Sequence, residues 1–463
     1  MLVQVTIENF LSFKEETTFS MIGIGSDKSH PDHLAIDAAG KGRSVLPISA
    51  IYGANGSGKS NFIAAVHFAK ELIVKGTRSG KSIPVLTFKL GDRTKEPSKF
   101  EFIFTYEENL YSYGFKLNSS QILQEWLYAT PKGKTREVKY FERITNEKQE
   151  TTVEYGTRLK GKTEKQKNFL DFIIQGTPHN QLFLTEVIDR KVKDLQQFLQ
   201  PVFKWFDDVL VLISAEATVK GIEIIVMSDK NFTNFLADFL KFTDTGIDSV
   251  TTQEKEVKLE NLPESIIDEI VERIAETEEN SVLILEDSKG KQYRFTKGAN
   301  GGVKSIQLKT QHQGENGKLI DFEIWEESDG TQRLINLVPA MFMLREDSEK
   351  VILLDELDRR LHTLLSRQFV ESALRYRSYQ NQLIFTTHDT NLLDLDLLRR
   401  DEIWFVEKDK YGSSHLYPLA DFNVRPDLKI DKGYLNGRFG AIPFFADIHH
   451  LGWADCAGET SKV

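Results

Sequence analysis

Short stretches of the chain alternate between apolar and polar residues with a period of two, which is typical of strands that bury one face. The first lies at 2–8 and the second at 17–22, so the sequence predicts an antiparallel layer at the N-terminal end. Two longer alternating runs, at 100–106 and 110–117, are separated by the polar residues 107–109. This arrangement is typical of a β-hairpin.

Other stretches are apolar without a break or carry apolar residues at helical spacing. The apolar runs at 46–52 and 351–354 predict strands that are buried on both faces, and 381–387 predicts another buried strand. The helical spacing predicts helices at 61–74, 186–210, 229–282, 334–344 and 361–376, and strand-like pieces return at 282–322. These elements predict an α/β fold: a mixed sheet with an antiparallel N-terminal layer, interrupted by an inserted α+β and helical region.

Composition narrows the class of protein. With 463 residues, 40% of them hydrophobic, the chain can form two or three cores. Its net charge of −10 argues against a surface that coats nucleic acid non-specifically. Cys456 is the only cysteine, which excludes an intrachain disulfide and a Cys-based zinc site. Because we find no apolar run of about 18 residues and no signal peptide, we expect a cytoplasmic protein with no membrane partner.

The clearest chemical motif lies between a predicted buried strand and a predicted helix, and reads Gly53-Ala54-Asn55-Gly56-Ser57-Gly58-Lys59-Ser60, followed by Asn61. It fits the phosphate-binding pattern G-x-x-x-x-G-K-[ST]. Gly53, Gly56 and Gly58 let backbone N–H groups turn inward around an anion, Lys59 reaches the terminal phosphates, and the Ser60 hydroxyl binds Mg²⁺. We therefore expect an ATP and Mg²⁺ site here; the alternative is a chance Gly-rich turn.

A second motif begins where the predicted strand 351–354 ends in two carboxylates, Asp355 and Glu356. Asp355 is suited to hold Mg²⁺ through its water shell, and Glu356 is the candidate general base that polarises the attacking water. The alternative is that the two carboxylates are simply solvated residues at the end of a strand. That interpretation would be preferred if Lys59 were absent.

Two further segments concern the triphosphate. Ser328 and Gly330 lie at the start of a predicted helix, where free N–H groups attract phosphate, although a simple helix cap is the alternative. His388 ends the strand 381–387, where it is positioned to sense a γ-phosphate, although a histidine at a strand end is usually structural.

The order of these motifs resembles the ABC-type ATPase head shared by SMC proteins and the OLD-family ATPases. Further segments are similar to the bacterial ATP/GTP phosphatase family found in phage-defence loci, and the similarity runs nearly end to end. Those segments are Tyr113-Gly-Phe, Glu125-Trp-Leu-Tyr128, Asn180-Gln-Leu-Phe-Leu184, Thr243-Asp-Thr-Gly-Ile247, Asp401-Glu-Ile-Trp-Phe-Val-Glu-Lys408 and Gly437-Arg-Phe-Gly-Ala-Ile-Pro443.

The resemblance implies roles and partners. Ser328 and Gly330 would belong to a signature motif that contacts the ATP of the opposite subunit, Asp358 to the D-loop, and His388 to the switch. Gln181 is our guess for the Q-loop. The family picture implies homo-oligomers built from ATP sandwich dimers, a separately encoded TOPRIM nuclease as effector, and a phage protein as trigger.

The same resemblance divides the chain into three parts. Residues 1–125 would form the N-terminal part of the ATPase head with Walker A, and 126–320 the inserted region. Residues 321–463 would form the C-terminal part, with the signature, Walker B and switch histidine. The insertion from Ser60 to Ser328 covers 268 positions (328 − 60) and carries no heptads, too short for SMC arms.

Two departures bear on activity. The signature reads Ser-Asp-Gly in place of Ser-Gly-Gly, from which we expect slow ATP turnover. Only 23 residues (463 − 440) follow Gly440, so we expect no TOPRIM nuclease domain in this chain.

Three functions remain open at this stage. The first is an ATPase that controls a separate nuclease in phage defence. The second is an SMC-like DNA-binding ATPase of repair or chromosome maintenance, with DNA held by the basic clusters at 132–139 and 160–167, which otherwise form a solvated hairpin face. The third is a scaffold that binds ATP and barely hydrolyses it.

Overall fold

The computed structural model describes residues 1–35, 40, 42–78, 80–146, 148–159, 163–215, 221–257, 262–273, 282–286, 292–297, 303–422 and 429–442. Lys160, Lys162 and Cys456 lie outside these ranges. The chain divides into two compact units. The first comprises Met1–Leu212, Glu349–Glu356 and Tyr379–Val463, and the second comprises Ile213–Ser348 and Leu357–Ser378. The boundaries proposed at 125 and 320 stay a prediction.

Strands and helices both occur, which confirms the predicted mixed α/β class. The strands are β1 (Leu2–Glu8), β2 (Thr17–Ser20), β3 (Ile48–Tyr52), β4 (Ser98–Tyr106), β5 (Asn109–Leu117), β6 (Ile122–Thr130), β7 (Val138–Thr145), β8 (Thr151–Tyr155), β9 (Leu210–Ile213), β10 (Ile247–Glu256), β11 (Val282–Glu286), β12 (Gln292–Lys297), β13 (Val303–Gln313), β14 (Leu319–Glu323), β15 (Val351–Leu354), β16 (Gln382–Thr387), β17 (Ile403–Lys408) and β18 (Ser414–Pro418).

The α-helices are α1 (Lys59–Lys75), α2 (Glu164–Gly176), α3 (Phe183–Asp189), α4 (Lys193–Lys204), α5 (Ile222–Ser228), α6 (Lys230–Phe242), α7 (Glu264–Arg273), α8 (Asp329–Glu346), α9 (Thr363–Tyr376) and α10 (Ile430–Leu435). A π-helical turn, Trp205–Val209, continues α4. None of the described helices combines the length and apolarity that a membrane span needs.

The first unit contains a seven-stranded antiparallel sheet with the order β2-β1-β4-β5-β6-β7-β8. It confirms the predicted N-terminal layer and hairpin, since β1 pairs with β2 and β4, and β4 with β5. Glu107 and Glu108 form the two-residue hairpin loop with φ of 45° and 64°. Positive φ at both positions is the requirement of a type I′ turn, whose twist suits paired strands.

The first unit also contains a six-stranded sheet with the order β18-β17-β3-β16-β15-β9. Within it β17, β3, β16 and β15 run parallel, and β3, β15 and β16 are buried along their whole length. This burial confirms the interpretation of the unbroken apolar runs. Because neighbouring parallel strands end at the same edge, the residues after β3, β15 and β16 share one edge of the sheet.

The second unit is built on a smaller sheet with the order β10-β13-β12-β11, to which β14 adds on β13. Helix α6 packs on β10 and against α8. Phe232, Leu236 and Leu240 of α6 are buried in the same core as Leu334 and Val338 of α8. The helical spacing of α6 therefore reflects core packing.

One prediction of secondary structure is wrong in part, because α6 and α7 lie within the helical region predicted at 229–282 but a strand separates them. The helix predicted across 229–282 ends at Phe242, and Ile247–Glu256 forms β10. β10 is an edge strand held by backbone pairing with β13, and the side chains of 253–256 are exposed. A strand that buries so few side chains leaves little alternation in the sequence, so the acidic and basic residues gave a helical appearance.

Candidate functional site

The loop between β3 and α1 has a backbone that only glycine can supply at two of its positions. Gly56 and Gly58 have φ of 75° and 121°. A Cβ at Gly58 would lie 2.3 Å from Ser414 Oγ, and one at Gly53 would lie 2.4 Å from the carbonyl oxygen of Val406. The loop therefore packs closely against its neighbours at Gly53 and Gly58, where a larger residue would not fit. This geometry fits the phosphate cradle that the sequence predicts.

Lys59 begins α1 and is buried, with 5% of its surface exposed. Its ammonium donates hydrogen bonds to the carbonyl oxygens of Gly53 (2.7 Å) and Ala54 (3.1 Å). The cation is thus held over the loop, and no side chain caps the N-terminus of α1. A positive charge and a helix N-terminus at the same place form an anion site.

The remaining predicted residues of the loop differ in their surroundings. Asn55, Gly56 and Ser60 are exposed and so accessible to a ligand. Asn61 instead donates a hydrogen bond from its side-chain amide to Ser12 Oγ at 2.7 Å. Asn61 therefore links the beginning of α1 to Ser12.

Asp355 and Glu356 follow β15 and are tied to the neighbouring strand by Thr386. The Thr386 hydroxyl donates to Asp355 Oδ1 at 2.5 Å and accepts from the backbone N–H of Glu356 at 2.7 Å. Asp355 is largely buried, whereas Glu356 is partly exposed. One threonine therefore fixes both acidic residues at the end of the strand.

The strand register brings this pair to the same edge as the loop. Leu354 pairs with Phe385, and Phe385 pairs with Ala50, two residues before the end of β3. Strands lie about 4.8 Å apart, so β15 and β3, separated by β16, are about 10 Å apart. His388 is exposed directly after β16, the strand next to β3. The loop, the acidic pair and the histidine thus share one edge of the sheet.

Glu356 also has an unusual backbone, with φ of 49°. A left-handed conformation at a residue other than glycine costs about 1–3 kcal/mol and persists only where the surroundings enforce it. The Thr386 hydrogen bond to its N–H is part of that enforcement. Such residues cluster at active sites, which agrees with a catalytic role for Glu356.

In the second unit, Ser328 is the N-cap of α8, and its hydroxyl accepts from the N–H of Thr331 at 3.1 Å. Ser328 remains exposed. A Cβ at Gly330 would lie 3.1 Å from the carbonyl oxygen of Arg360, so the helix start closely approaches that backbone. The Arg360 guanidinium lies 3.7 Å from the Asp329 carboxylate.

Asp358 lies two residues before Arg360, and its carbonyl oxygen accepts from the N–H of Leu361 at 3.0 Å. The predicted signature and D-loop segments are thus in contact within this unit. Asp329, the departure from Ser-Gly-Gly, forms an exposed ion pair with Arg360, which offsets its charge only weakly.

Residues 48–394 match the model of a protein family described as "AAA domain, putative AbiEii toxin, Type IV TA system". The match covers most of the chain. The chain belongs to this AAA domain family. The matched range includes the glycine-rich loop, Asp355, Glu356 and His388 of the AAA domain, and it supports the prediction of an ATPase-type protein. No curated protein matches the sequence.

Comparison of the AAA domain protein with solved structures gives distant similarities. The SMC head domain from Thermotoga maritima has 14% identity and a TM-score of 0.36, covering 90% of this chain and 98% of that one. The SMC head bound to the C-terminal winged-helix domain of ScpA has 13% identity and a TM-score of 0.36, covering 90% and 97%. An SMC head with an extended coiled coil, bound to a ScpA domain from Pyrococcus furiosus, has 13% identity and a TM-score of 0.33, covering 94% and 98%. These TM-scores are too low to support an inference.

Three residues of this chain that support the site were missed at the level of sequence. Besides Thr386, they are Ser12 and Ser414, whose hydroxyl oxygens lie 2.7 Å apart. Ser414 also donates to the carbonyl oxygen of Ser57 at 2.5 Å. Their sequence separation of 402 positions removes any local signal, although Thr386 could have been suspected because it closely precedes His388.

Several segments behind the family resemblance meet in a buried network of the AAA domain. Glu125 accepts from Tyr113 Oη (3.0 Å) and from the N–H groups of Phe183 (2.6 Å) and Leu184 (3.0 Å), and it pairs with Arg143. Burial raises the pKa of the Glu125 carboxyl above its usual range, and these donors oppose the shift. The network fixes the start of α3 against the seven-stranded sheet, so these motifs have a structural role.

Gln181, the Q-loop guess, lies beside this network in the AAA domain. Its Oε1 accepts from the N–H of Thr77 at 2.6 Å, just after α1 ends. Its carbonyl oxygen accepts from Arg143. The glutamine is buried and joined to the far end of α1, so its assignment to the Q-loop stays a prediction.

Proposed function

We propose that this AAA domain protein binds ATP with Mg²⁺ and hydrolyses it. The observation that carries the proposal is the shared sheet edge, where the glycine-rich loop with buried Lys59 and the acidic pair Asp355 and Glu356 come together. A cationic cradle for phosphate and two carboxylates for metal and water are the parts that phosphoryl transfer to water requires.

Each residue has a defined task in this proposal. The N–H groups of the loop and the Lys59 ammonium bind the phosphates, for which Lys59 exchanges its bonds to Gly53 and Ala54. Ser60 and Asp355 supply the hard oxygen ligands that Mg²⁺ prefers, and the ion, when bound, neutralises charge on the β- and γ-phosphates. Glu356 polarises the attacking water, and His388 contacts the γ-phosphate.

We further propose that two copies close over two ATP molecules. Each ATP is then bound by the loop of one copy and by Ser328 and Gly330 of the other, with Asp358 beside them. The exposed Ser328 hydroxyl and the tight start of α8 support this role. Asp329 lies between Ser328 and Gly330 and forms an ion pair with Arg360. At this position its negative charge disfavours binding of the triphosphate, and this slows turnover.

The decisive experiment compares ATP binding by the wild-type protein and Lys59→Ala. Loss of a charge-assisted contact in a buried site is worth about 2 kcal/mol or more, so we expect ATP affinity to fall at least about 30-fold in a fluorescent-ATP titration. Lys75→Ala is the matched control, because Lys75 lies on the same helix with an exposed side chain. Equal ATP affinity in wild type and Lys59→Ala would remove the proposed site.

At the biological level, we propose that the ATPase acts in the cytoplasm, senses a phage protein and controls a separate TOPRIM nuclease. The similarity of its motifs to the ATPase subunit of the PARIS anti-phage system supports this assignment. Co-expression with a neighbouring TOPRIM gene and measurement of the complex mass tests it. A nuclease that never co-purifies with the ATPase would contradict the partner while leaving ATP binding intact.

The ion pairs of the basic cluster at 132–139 argue against the alternative that the protein binds DNA. The Lys132 ammonium pairs with Glu108, and Lys139 lies 2.9 Å from both Glu142 and Glu154. These partners offset the charges of two of the four basic residues that would bind phosphates in this cluster. A gel shift at low salt separates the alternatives, because an SMC-like DNA-binding ATPase would retard DNA and lose it as salt rises.

A further inference from the structure

A cluster of two histidines and an aspartate lies in the first unit, in the loop before β3. His30 precedes the short 3₁₀-helix Pro31–His33, which also contains Asp32. His30 has a left-handed backbone with φ of 41°, and its ring stacks on that of His33 with centroids 4.8 Å apart. One potential metal-ligand atom from each of the three side chains lies within 4.8 Å of the other two.

Both histidines have one ring nitrogen occupied by a hydrogen-bond acceptor. His33 Nδ1 lies 2.9 Å from Glu402 Oε1, and His30 Nε2 lies 2.8 Å from the carbonyl oxygen of Leu395. Because carboxylate and carbonyl oxygens accept, these ring nitrogens carry the protons in the neutral rings. The lone pairs are then on His33 Nε2 and His30 Nδ1. Metal-binding histidines are oriented by this kind of hydrogen bond on the second nitrogen.

The groups that orient the histidines are themselves fixed. Glu402 is fully buried and also accepts from the N–H of Arg399 at 2.8 Å. The buried Arg399 side chain donates to Asp401 at 2.9 Å and to the carbonyl oxygen of Ser29, the residue before His30. The loop and the segment before β17 therefore form one hydrogen-bonded unit around the cluster. A rigid surrounding shell is what a metal site requires.

We propose that His30, Asp32 and His33 bind one divalent transition-metal ion of the zinc class. Two imidazoles and one carboxylate favour such an ion over Mg²⁺, which prefers oxygen ligands. The Asp32 carboxylate makes no hydrogen bond or ion pair within the described part of the chain, and it is exposed, so it is free to complete the set. The fourth position is open to water or an exchangeable ligand.

To bind a metal ion, the ligand atoms of the three side chains need to move only slightly closer together. Zinc bonds of about 2.0–2.1 Å place tetrahedral ligand atoms about 3.3 Å apart, compared with the present limit of 4.8 Å. Rotation of the exposed Asp32 side chain brings its carboxylate closer, while His30 and His33 keep the hydrogen bonds that orient their rings. The bound ion would join the loop before β3 more firmly to the segment that follows His388, and is distinct from the Mg²⁺ of the ATP site.

The test uses the full chain after removal of metal with a chelator. Zn²⁺ is titrated calorimetrically with excess Mg²⁺ present, and Co²⁺ is used as a spectroscopic probe of tetrahedral geometry. We expect one equivalent of Zn²⁺ per wild-type chain and a higher melting temperature when it is bound. His30→Ala and Asp32→Asn should each weaken this binding about 100-fold or more, since losing even a supporting residue costs 10–100-fold.

Two matched variants control for surface charge and for other histidines. Asp396→Asn changes another exposed aspartate, and His415→Ala removes an exposed histidine that pairs with Asp409. Both should bind Zn²⁺ like the wild type. Melting temperatures without metal establish that His30→Ala and Asp32→Asn are folded, and both positions tolerate change because neither is buried. Failure of the wild type to bind, or undiminished binding in these two variants, would overturn the proposal.

Discussion

Gly114 lies beneath the indole of Trp126, its cross-strand neighbour. A Cβ at this position would lie 2.4 Å from the Trp126 ring and 2.8 Å from the carbonyl oxygen of Phe100. The indole cannot simply move, because its N–H donates to Glu101 at 3.2 Å. The glycine in Tyr113-Gly-Phe is therefore a packing requirement of the seven-stranded sheet.

From this packing we expect Gly114→Ala to lower stability by about 1–3 kcal/mol, the usual cost of overfilling a core. Thermal unfolding without nucleotide measures the change. Gly25→Ala is the control, since a Cβ there meets nothing within 4 Å, and it should melt like the wild type. Equal melting temperatures for both variants would mean that the sheet adapts around Gly114.

Residues with a local motif could be predicted from the sequence, whereas their supporting partners could not. The spacing of Lys59 and Ser60 after three glycines is diagnostic of phosphate binding, because a continuous segment forms the cradle. Thr386 acts through hydrogen bonds to residues 30 and 31 positions away. Such a contact depends on which strands become neighbours, and that information is absent from either segment alone.

At the scale of elements, Ser328 combines two roles that can be separated. As the N-cap of α8 it stabilises the helix by about 1 kcal/mol, and in the proposed dimer its hydroxyl contacts the ATP of the other copy. Ser328→Asp keeps a good cap but introduces a negative charge. We expect it to melt like the wild type while ATP hydrolysis falls at least about tenfold through repulsion of the triphosphate.

Ser328→Ala supplies the comparison for this experiment. It removes the cap and the hydroxyl together, so both melting temperature and hydrolysis should fall. A phosphate-release assay and a thermal melt on the same samples measure the two effects. Full activity in Ser328→Asp would assign Ser328 to helix capping alone.

A helix or strand could be predicted from the sequence where the burial of its own side chains determines its structure. The β4–β5 hairpin alternates clearly between apolar and polar residues because its strands bury one face in the core. β10 has burial only at its beginning, and its pairing with β13 involves residues 48 to 65 positions away (304 − 256 and 312 − 247). The structure of β10 depends on its pairing with β13, so the pattern of residues within β10 did not predict a strand.

At the scale of the whole molecule, the proposed dimer should depend on whether ATP is hydrolysed. Glu356→Gln keeps the size of the side chain at a strained position but removes the base. General-base catalysis contributes about 10²–10⁴-fold, so we expect hydrolysis to fall by at least about 10²-fold and an ATP-bound dimer to accumulate. Light scattering with and without ATP measures the mass.

The double variant Lys59→Ala/Glu356→Gln is the control for this trapping. It lacks the cation that holds the phosphates, so ATP should no longer shift its mass. An unchanged monomer mass in Glu356→Gln with ATP, alongside normal ATP binding, would contradict the sandwich dimer and favour a scaffold whose output is binding alone.

The place of β3 in its sheet has a consequence for synthesis of the protein. Its two neighbours, β16 and β17, begin 330 or more residues after β3 ends (382 − 52). At about 5–20 residues per second, the ribosome needs roughly 20–60 seconds to complete the first of them. During that interval a mostly apolar strand has no partner in its sheet, so the nascent chain should depend on chaperones that shield it.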